Sequence, residues 1–191
     1  RRLIRVVDDG RGMSPEDLEL AVERHATSKL PGGDLARIDT LGFRGEALPS
    51  IGAVARLSIL TRPRDADSGA ALVVEAGIKG PVRPAAAAPG TRVEVTDLFA
   101  ATPARLKFLK SERAEAQAVG EAVRRLALAH PGVRFTLQGE HGASLACPPE
   151  GEGEDGFLRR LARVLGADFA ANAVPVAAAR DGFRLDGFVG L

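Results

Sequence analysis

LIRVVDDGRGMSPED (3–17) decides how the chain begins to fold. Leu3 to Val7 are β-favouring apart from Arg5 and predict a strand, which DDG then turns. A helix follows. Ser14 is a good N-cap, Pro15 suits the first helical position, and Glu16 and Asp17 favour the positive end of the dipole. Leu18, Ala21, Val22 and His25 mark one face, which predicts a helix ending near Thr27. Inside the turn, DDGRG (8–12) sets a carboxylate at a strand end beside Gly10 and Gly12. Adenine offers an amino donor, and a buried carboxylate accepts it well where glycines let the ring approach the backbone. Taken alone, the same residues also make an ordinary strand-to-helix turn.

Working outward, GFRGEALPSIG (42–52) carries the next chemistry. Proline lacks an N–H and is tolerated only in the first turn of a helix, so Pro49 predicts a helix starting near Gly45 or Glu46. The amides of Gly45, Glu46 and Ala47 are then free to face an anion such as a phosphate. Leu48 pulls the other way, because a residue before proline is biased from helical angles. Between the two runs, LPGGDLARIDTL (30–41) couples a Pro-Gly-Gly break to a short amphipathic stretch and reads as a mobile lid. GT (90–91) opens the alternating strand TRVEVTDLF. The three runs fall in the order of a nucleotide pocket.

RLSILTR and ALVVEAGI predict two strands joined by the polar turn PRDADSG. A helical region is predicted from Pro103 to about His130, with Val119, Val123, Leu126 and Ala127 on its apolar face, and Pro131 and Gly132 stop it. VRFTLQG and ASLAC predict a hairpin across EHG. PPEGEGEDG is the best linker, LRRLARVLGADF is helical, and AVPVAAARDGFRLDGFVGL reads as two strands of a sheet that the chain end cuts short. Strands and helices do not alternate as βαβ units, which predicts an α+β fold. The 191 residues carry a net charge of +1, so no global basic field announces a nucleic-acid binder. One cysteine, Cys147, excludes a disulfide framework, and three histidines without a cluster give no metal site. No run is long and apolar enough for a membrane span, and a cytoplasmic protein is expected.

RHATSK (24–29), LGFRGEAL (41–48) and GTRVEVTDLFAATPARLKFLKS (90–111) together resemble the MutL family of bacterial DNA mismatch-repair proteins, over residues 1 to about 150 and more weakly beyond. The resemblance implies the GHKL (Bergerat) ATPase fold, a sandwich of a mixed β-sheet with helices on one face. Residues 1–150 would form that domain, and 151–191 the beginning of a ribosomal-S5-like transducer domain. By matching motif, Asp8 would read adenine, Gly10 and Gly12 would line its pocket, and Thr91 would support the base through its hydroxyl and a water. Thr27, Ser28 and Lys29 would sit on the phosphate side, and Gly42, Phe43, Arg44, Gly45, Glu46, Ala47 and Leu48 would form the phosphate-facing loop and helix start. His25 reads as a packing or orienting residue. Asp9 departs from the Asn usual at its place, adding a second negative charge beside Asp8.

In this family the water-orienting base and the Mg2+ ligand come from an E-x-x-x-N helix ahead of the D-x-G-x-G strand. The sequence starts at Arg1, after that helix, so the general base and the Mg2+ ligand are both expected upstream of Arg1. The expectation is a piece cut at both ends that holds an ATP cradle without catalytic residues of its own. The resemblance further implies a switch: ATP-driven homodimerisation couples a MutS-type mismatch-recognition protein to a downstream nuclease or helicase. Arg105, Lys107, Lys110, Arg113, Arg124 and Arg125 form a basic run that either meets DNA phosphates, with steep salt dependence, or is an ordinary solvated face. Two other readings stay open: a nucleotide-independent DNA or protein docking module, and a gyrase- or histidine-kinase-like domain, which RHATSK and PARLKFLK disfavour.

Overall fold

The computed structural model describes residues 3–26, 44–142 and 144–191, and the chain divides into two compact units, 1–109 and 110–191. The first is built on a six-stranded sheet. Strands β1 (Leu3–Asp8), β2 (Arg56–Arg62), β3 (Gly69–Glu75), β4 (Ile78–Lys79) and β6 (Gly90–Thr96) lie in the order β1-β6-β2-β3-β4, and the short β5 (Arg83–Ala85) pairs with β3. Every pairing among the described strands is antiparallel.

The register explains the alternation in the sequence, since side chains directly opposite one another share a face. One face carries the rows Ile4–Val95–Leu57–Val74 and Val6–Val93–Ile59–Leu72. Leu57, Ile59, Leu72 and Val74 from these rows form a buried core with Leu18 and Val22 of the α1 segment (Pro15–Ala21 and its C-cap). The opposite face is charged: Arg5 pairs with Glu94 at 2.7 Å and Arg56 with Glu75 at 2.7 Å. Burial fades toward β1, where Val6 is 58% exposed among the described residues.

Helix α1 starts as its sequence dictates, with the Ser14 hydroxyl accepting the Asp17 amide at 3.1 Å. It ends at Ala21 rather than near Thr27, because the chain turns at Val22 and His25 adopts a left-handed φ of 64° that no α-helix admits. Helix α2 (Ala47–Gly52) starts one residue past the predicted point, and Leu48 is helical despite the following proline. At its far end Gly52 has no room for a side chain, since a Cβ there would lie 2.8 Å from Val74.

The single helical region predicted from Pro103 to His130 is two helices, α3 (Pro103–Leu106) and α4 (Glu112–Ala129). Ser111 causes the break. Its hydroxyl accepts the Ala114 amide at 3.3 Å, and the Glu115 carboxylate reaches back to the Lys110 amide at 3.1 Å, which together start a new helix. On α4, Ala127 is buried, but Val119 and Leu126 are 41% and 40% exposed, so the predicted apolar face is only partly used among the described residues.

In the second unit β7 (Phe135–Gln138) and β8 (Ser144–Cys147) form the predicted hairpin, which packs with α4 and with α5 (Gly153–Leu165). Arg160 of α5 is fully buried at the centre. Its guanidinium donates to the carbonyls of Ala127 (2.7 Å), Pro131 (2.7 Å), Val133 (2.8 Å) and Pro148 (2.8 Å). Pro131 is the reason one of these is needed. The Ala127 carbonyl would ordinarily accept from the amide four residues on, and proline has none. After the short α6 (Ala167–Ala171), β9 (Ala173–Arg180) and β10 (Phe183–Gly190) make the second predicted strand pair.

Candidate functional site

The antiparallel register brings Asp8, Thr91 and Thr61 into one polar row. Asp8 at the end of β1 lies opposite Thr91 on β6, and Thr91 lies opposite Thr61 on β2. The row continues the two apolar rows on the same face, so it forms the polar margin of the core. Thr61 is fully buried and holds this margin together. Its hydroxyl oxygen accepts the Met13 amide at 3.0 Å, donates to the Gly90 carbonyl at 3.0 Å and lies 3.0 Å from the Thr91 hydroxyl.

Close backbone approaches shape the rest. Gly12 has φ +72°, and a Cβ there would sit 2.1 Å from the Arg62 carbonyl oxygen. Gly90 has φ +109°, and a Cβ there would sit 2.1 Å from the Asp8 carbonyl oxygen. Gly10 is required for a different reason from a left-handed turn: its Cβ would meet Asp8 Oδ1 at 2.7 Å. That oxygen accepts the Gly10 amide at 2.9 Å, which fixes the carboxylate. Among the described residues Oδ2 accepts no hydrogen bond.

Asp8 is exposed among the described residues, not buried as its motif led us to expect, because it ends an edge strand at the open margin of the sheet. Asp9 is exposed as well, and its carbonyl, with that of Gly10, accepts from the Arg64 guanidinium at 2.5 and 3.4 Å. Arg64 thereby braces the DDG loop from the β2–β3 turn.

On the other motif, residues 25–26 and 45–46 lie against each other. Gly45 has φ +61°, and a Cβ there would be 2.4 Å from the Ala26 carbonyl oxygen. His25 Nδ1 is 3.5 Å from Glu46 Oε1, and its side chain is 78% exposed, so it lies at the surface beside Glu46. Glu46 caps α2 without a side-chain hydrogen bond, and Gly45, Glu46 and Ala47 donate no backbone hydrogen bond to another described residue. Arg44 is exposed beside them. Met13 after the DDGRG loop and Leu48 of α2 both pack against the core cluster, which puts the two motifs on the helix-covered side of the sheet. Thr27, Ser28, Lys29, Gly42 and Phe43, and the 30–41 stretch read as a lid, lie outside the described residues. Arg1, ahead of which the general base and the Mg2+ ligand are expected, lies outside them too, so the described residues give that expectation neither support nor correction.

Thr61 and Arg64 carry no sequence signal for this site, whereas Gly90 belongs to the GT run (90–91). The alternation of RLSILTR signalled only that Thr61 shares a face with Leu57 and Ile59; nothing local tells that Gly90 and Met13 converge on it. Among the described residues no three His, Cys, Asp or Glu side chains gather to hold a metal, and no helix is long and apolar enough to cross a membrane.

No protein-family model matches the chain. It is 59% identical over 191 residues to the DNA mismatch repair protein MutL of Beijerinckia indica, a match covering 100% of this chain and 30% of that protein. It is 60% identical over 188 residues to MutL of Rhodopseudomonas palustris strain CGA009, covering 98% of this chain and 32% of the relative. The chain thus spans about a third of the length of these curated relatives. Among solved structures it resembles the Aquifex aeolicus MutL ATPase domain complexed with ADP, with a TM-score of 0.70 and 32% identity over 93% of this chain and 60% of that one. The fold is therefore the α+β fold of the GHKL ATPase domain found in MutL. Over the stretch it shares with these relatives, the chain belongs to the MutL family of DNA mismatch repair proteins.

Proposed function

We propose that the chain supplies the adenine side of an ATP site in a DNA mismatch-repair switch. The observation that supports this most is the row Asp8–Thr91–Thr61 at an open sheet margin, with a carboxylate oxygen held by Gly10 and glycines at two close backbone approaches, Gly12 against Arg62 and Gly90 against Asp8. A planar base with an amino donor suits that arrangement, and the ADP held by the Aquifex relative is in keeping with it. Asp8 accepts the amino group, Gly10 and Gly12 let the ring in, and Thr91 flanks it. The amides of Gly45, Glu46 and Ala47, which donate to no other described residue, with Arg44, Leu48 and the Thr27–Ser28–Lys29 and Gly42–Phe43 segments, serve the phosphates. Mg2+ enters the same proposal only as the phosphates' counter-ion; no described residue is given to it, and in this reading its ligand and the general base belong to sequence upstream of Arg1.

At the level of the whole protein, we infer a cytoplasmic repair factor in which ATP binding drives homodimerisation and couples a MutS-type partner to a downstream nuclease or helicase. Residues 1–150 belong to the ATPase domain in this reading and 151–191 to the beginning of its transducer domain. DNA is a second, salt-dependent partner. What favours it is that Arg105 and Lys107 stand on a helical turn exposed at every residue from Pro103 to Phe108, and that Arg113 of α4 is exposed as well.

Calorimetry with ADP and with a non-hydrolysable ATP analogue on the full-length protein that carries this chain tests the proposal. Saturable binding of both, with dimers formed by the analogue and fewer by ADP, is expected. No nucleotide binding, or dimers that ignore nucleotide, would leave the docking-module reading as the better one.

A further inference from the structure

Thr61 sits one strand away from any ligand at this margin, yet its hydroxyl decides what Thr91 can offer. A hydroxyl has one proton to give and two lone pairs to fill. Of the three partners at 3.0 Å, the Met13 amide can only donate and the Gly90 carbonyl can only accept. The single Thr61 proton therefore goes to Gly90, and one lone pair takes the Met13 N–H. The remaining lone pair faces the Thr91 hydroxyl, which must donate to it. Thr91 has then spent its own proton and presents only lone pairs outward.

We propose that Thr61 is a positioning residue for base selection: by drawing the Thr91 proton inward, it makes the Asp8–Thr91 margin an all-acceptor edge that takes a purine with a 6-amino group and turns away one with a 6-oxo group. The inference rests on the nucleotide reading of the site. An Asp8 carboxylate beside a Thr91 acceptor pairs with the two hydrogens of an exocyclic amine. With both acceptors facing position 6, a 6-oxo purine sets its carbonyl oxygen against them and finds no donor; its N1–H, which adenine lacks, lies outside that pair and offsets only part of the loss, and unpaired acceptors facing each other are a basis for rejection. Thr61 is fully buried and so is its bond to Gly90, so its proton has no competing water to go to.

The test compares ADP with inosine diphosphate by calorimetry on the full-length protein, in the natural form and in Thr61→Val and Thr61→Ser. Val keeps the shape and removes the hydroxyl, which frees the Thr91 proton to turn outward toward a 6-oxo group. The ADP-to-inosine-diphosphate affinity ratio is expected to fall about five- to tenfold in Thr61→Val and to stay at its natural value in Thr61→Ser. A merely structural role would weaken both nucleotides alike and leave the ratio unmoved, and that result in a folded Thr61→Val protein overturns the inference. Thr61→Ala gives the same reading should the valine variant not hold its urea midpoint. Failure of the natural protein to bind ADP at all would instead overturn the nucleotide assignment beneath it.

Discussion

Replacing Arg160 by Met keeps a long side chain at the centre of the second unit and removes the guanidinium. Four carbonyls lose short hydrogen bonds, those of Ala127, Pro131, Val133 and Pro148. Pro131 retains one partner, since its oxygen also accepts the Glu150 amide at 2.9 Å. Three carbonyls are left, and Ala127 is the worst placed of them because Pro131 denies it a helical donor. Only the Ala127 bond is buried; those to Val133 and Pro148 are part-buried, so at about 1 to 1.5 kcal/mol for the first and about 0.5 to 1 kcal/mol for each of the others the loss is about 2 to 3.5 kcal/mol. Relief of the guanidinium desolvation offsets part of this, and about 2 kcal/mol remains. Arg160→Lys should recover little, because one ammonium cannot span carbonyls that the planar fork reaches together. Urea denaturation followed by circular dichroism measures it through the transition midpoint. A loss below about 0.5 kcal/mol for Arg160→Met, on the order of an ordinary surface change, would show that this residue does not substitute for the missing proline donor.

Two further outcomes follow from the same geometry. Gly12→Ala combines a left-handed φ with a Cβ 2.1 Å from the Arg62 carbonyl, so a stability loss of about 2 to 4 kcal/mol is expected by denaturant titration; Gly132→Ala, with nothing within 4 Å, should be close to neutral. Glu150 has a carboxyl held below its ordinary value of 4.5 by hydrogen bonds from Arg163 first and Arg159 second. A depressed carboxyl stabilises the fold above its unfolded-state pKa and loses that contribution as pH falls through its folded-state value. Glu150→Gln should therefore lower the urea midpoint at neutral pH and converge on the natural protein in acid, and a difference that persists unchanged into acid would contradict the assignment.

The strands and their faces were legible because alternation is a local signal: RLSILTR and TRVEVTDLF each wrote their inner face into every second residue. The Ser14 cap and the first-turn Pro15 likewise act within one turn. What escaped acts across the sequence. Thr61 joins positions 29 and 48 residues away, and Arg160 joins carbonyls up to 33 residues upstream. Neither residue type advertises such a role, for a threonine in a strand is ordinary and an arginine on an amphipathic helix is normally solvated. The length of α1 and the break before α4 escaped for another reason. Apolar spacing continued past Ala21 and through Lys107–Ser111, but a left-handed His25 and a capping Ser111 outweighed periodicity. In the site, the glycines announced close approach, yet only the register shows that Gly90, outside the D-x-G-x-G run, makes one of the two tightest.

Base recognition at this site falls to Asp8. Asp8→Asn removes the charge from the acceptor and offers an amide donor where the amino group needs lone pairs, a loss of about 1.5 to 3 kcal/mol, or about ten- to hundredfold in affinity. Calorimetric titration of ADP into the full-length protein and its Asp8→Asn variant, both with the same urea midpoint, measures this directly. A loss of at least about tenfold is expected, and an unchanged ADP affinity in the folded variant would rule Asp8 out as the reader of the base.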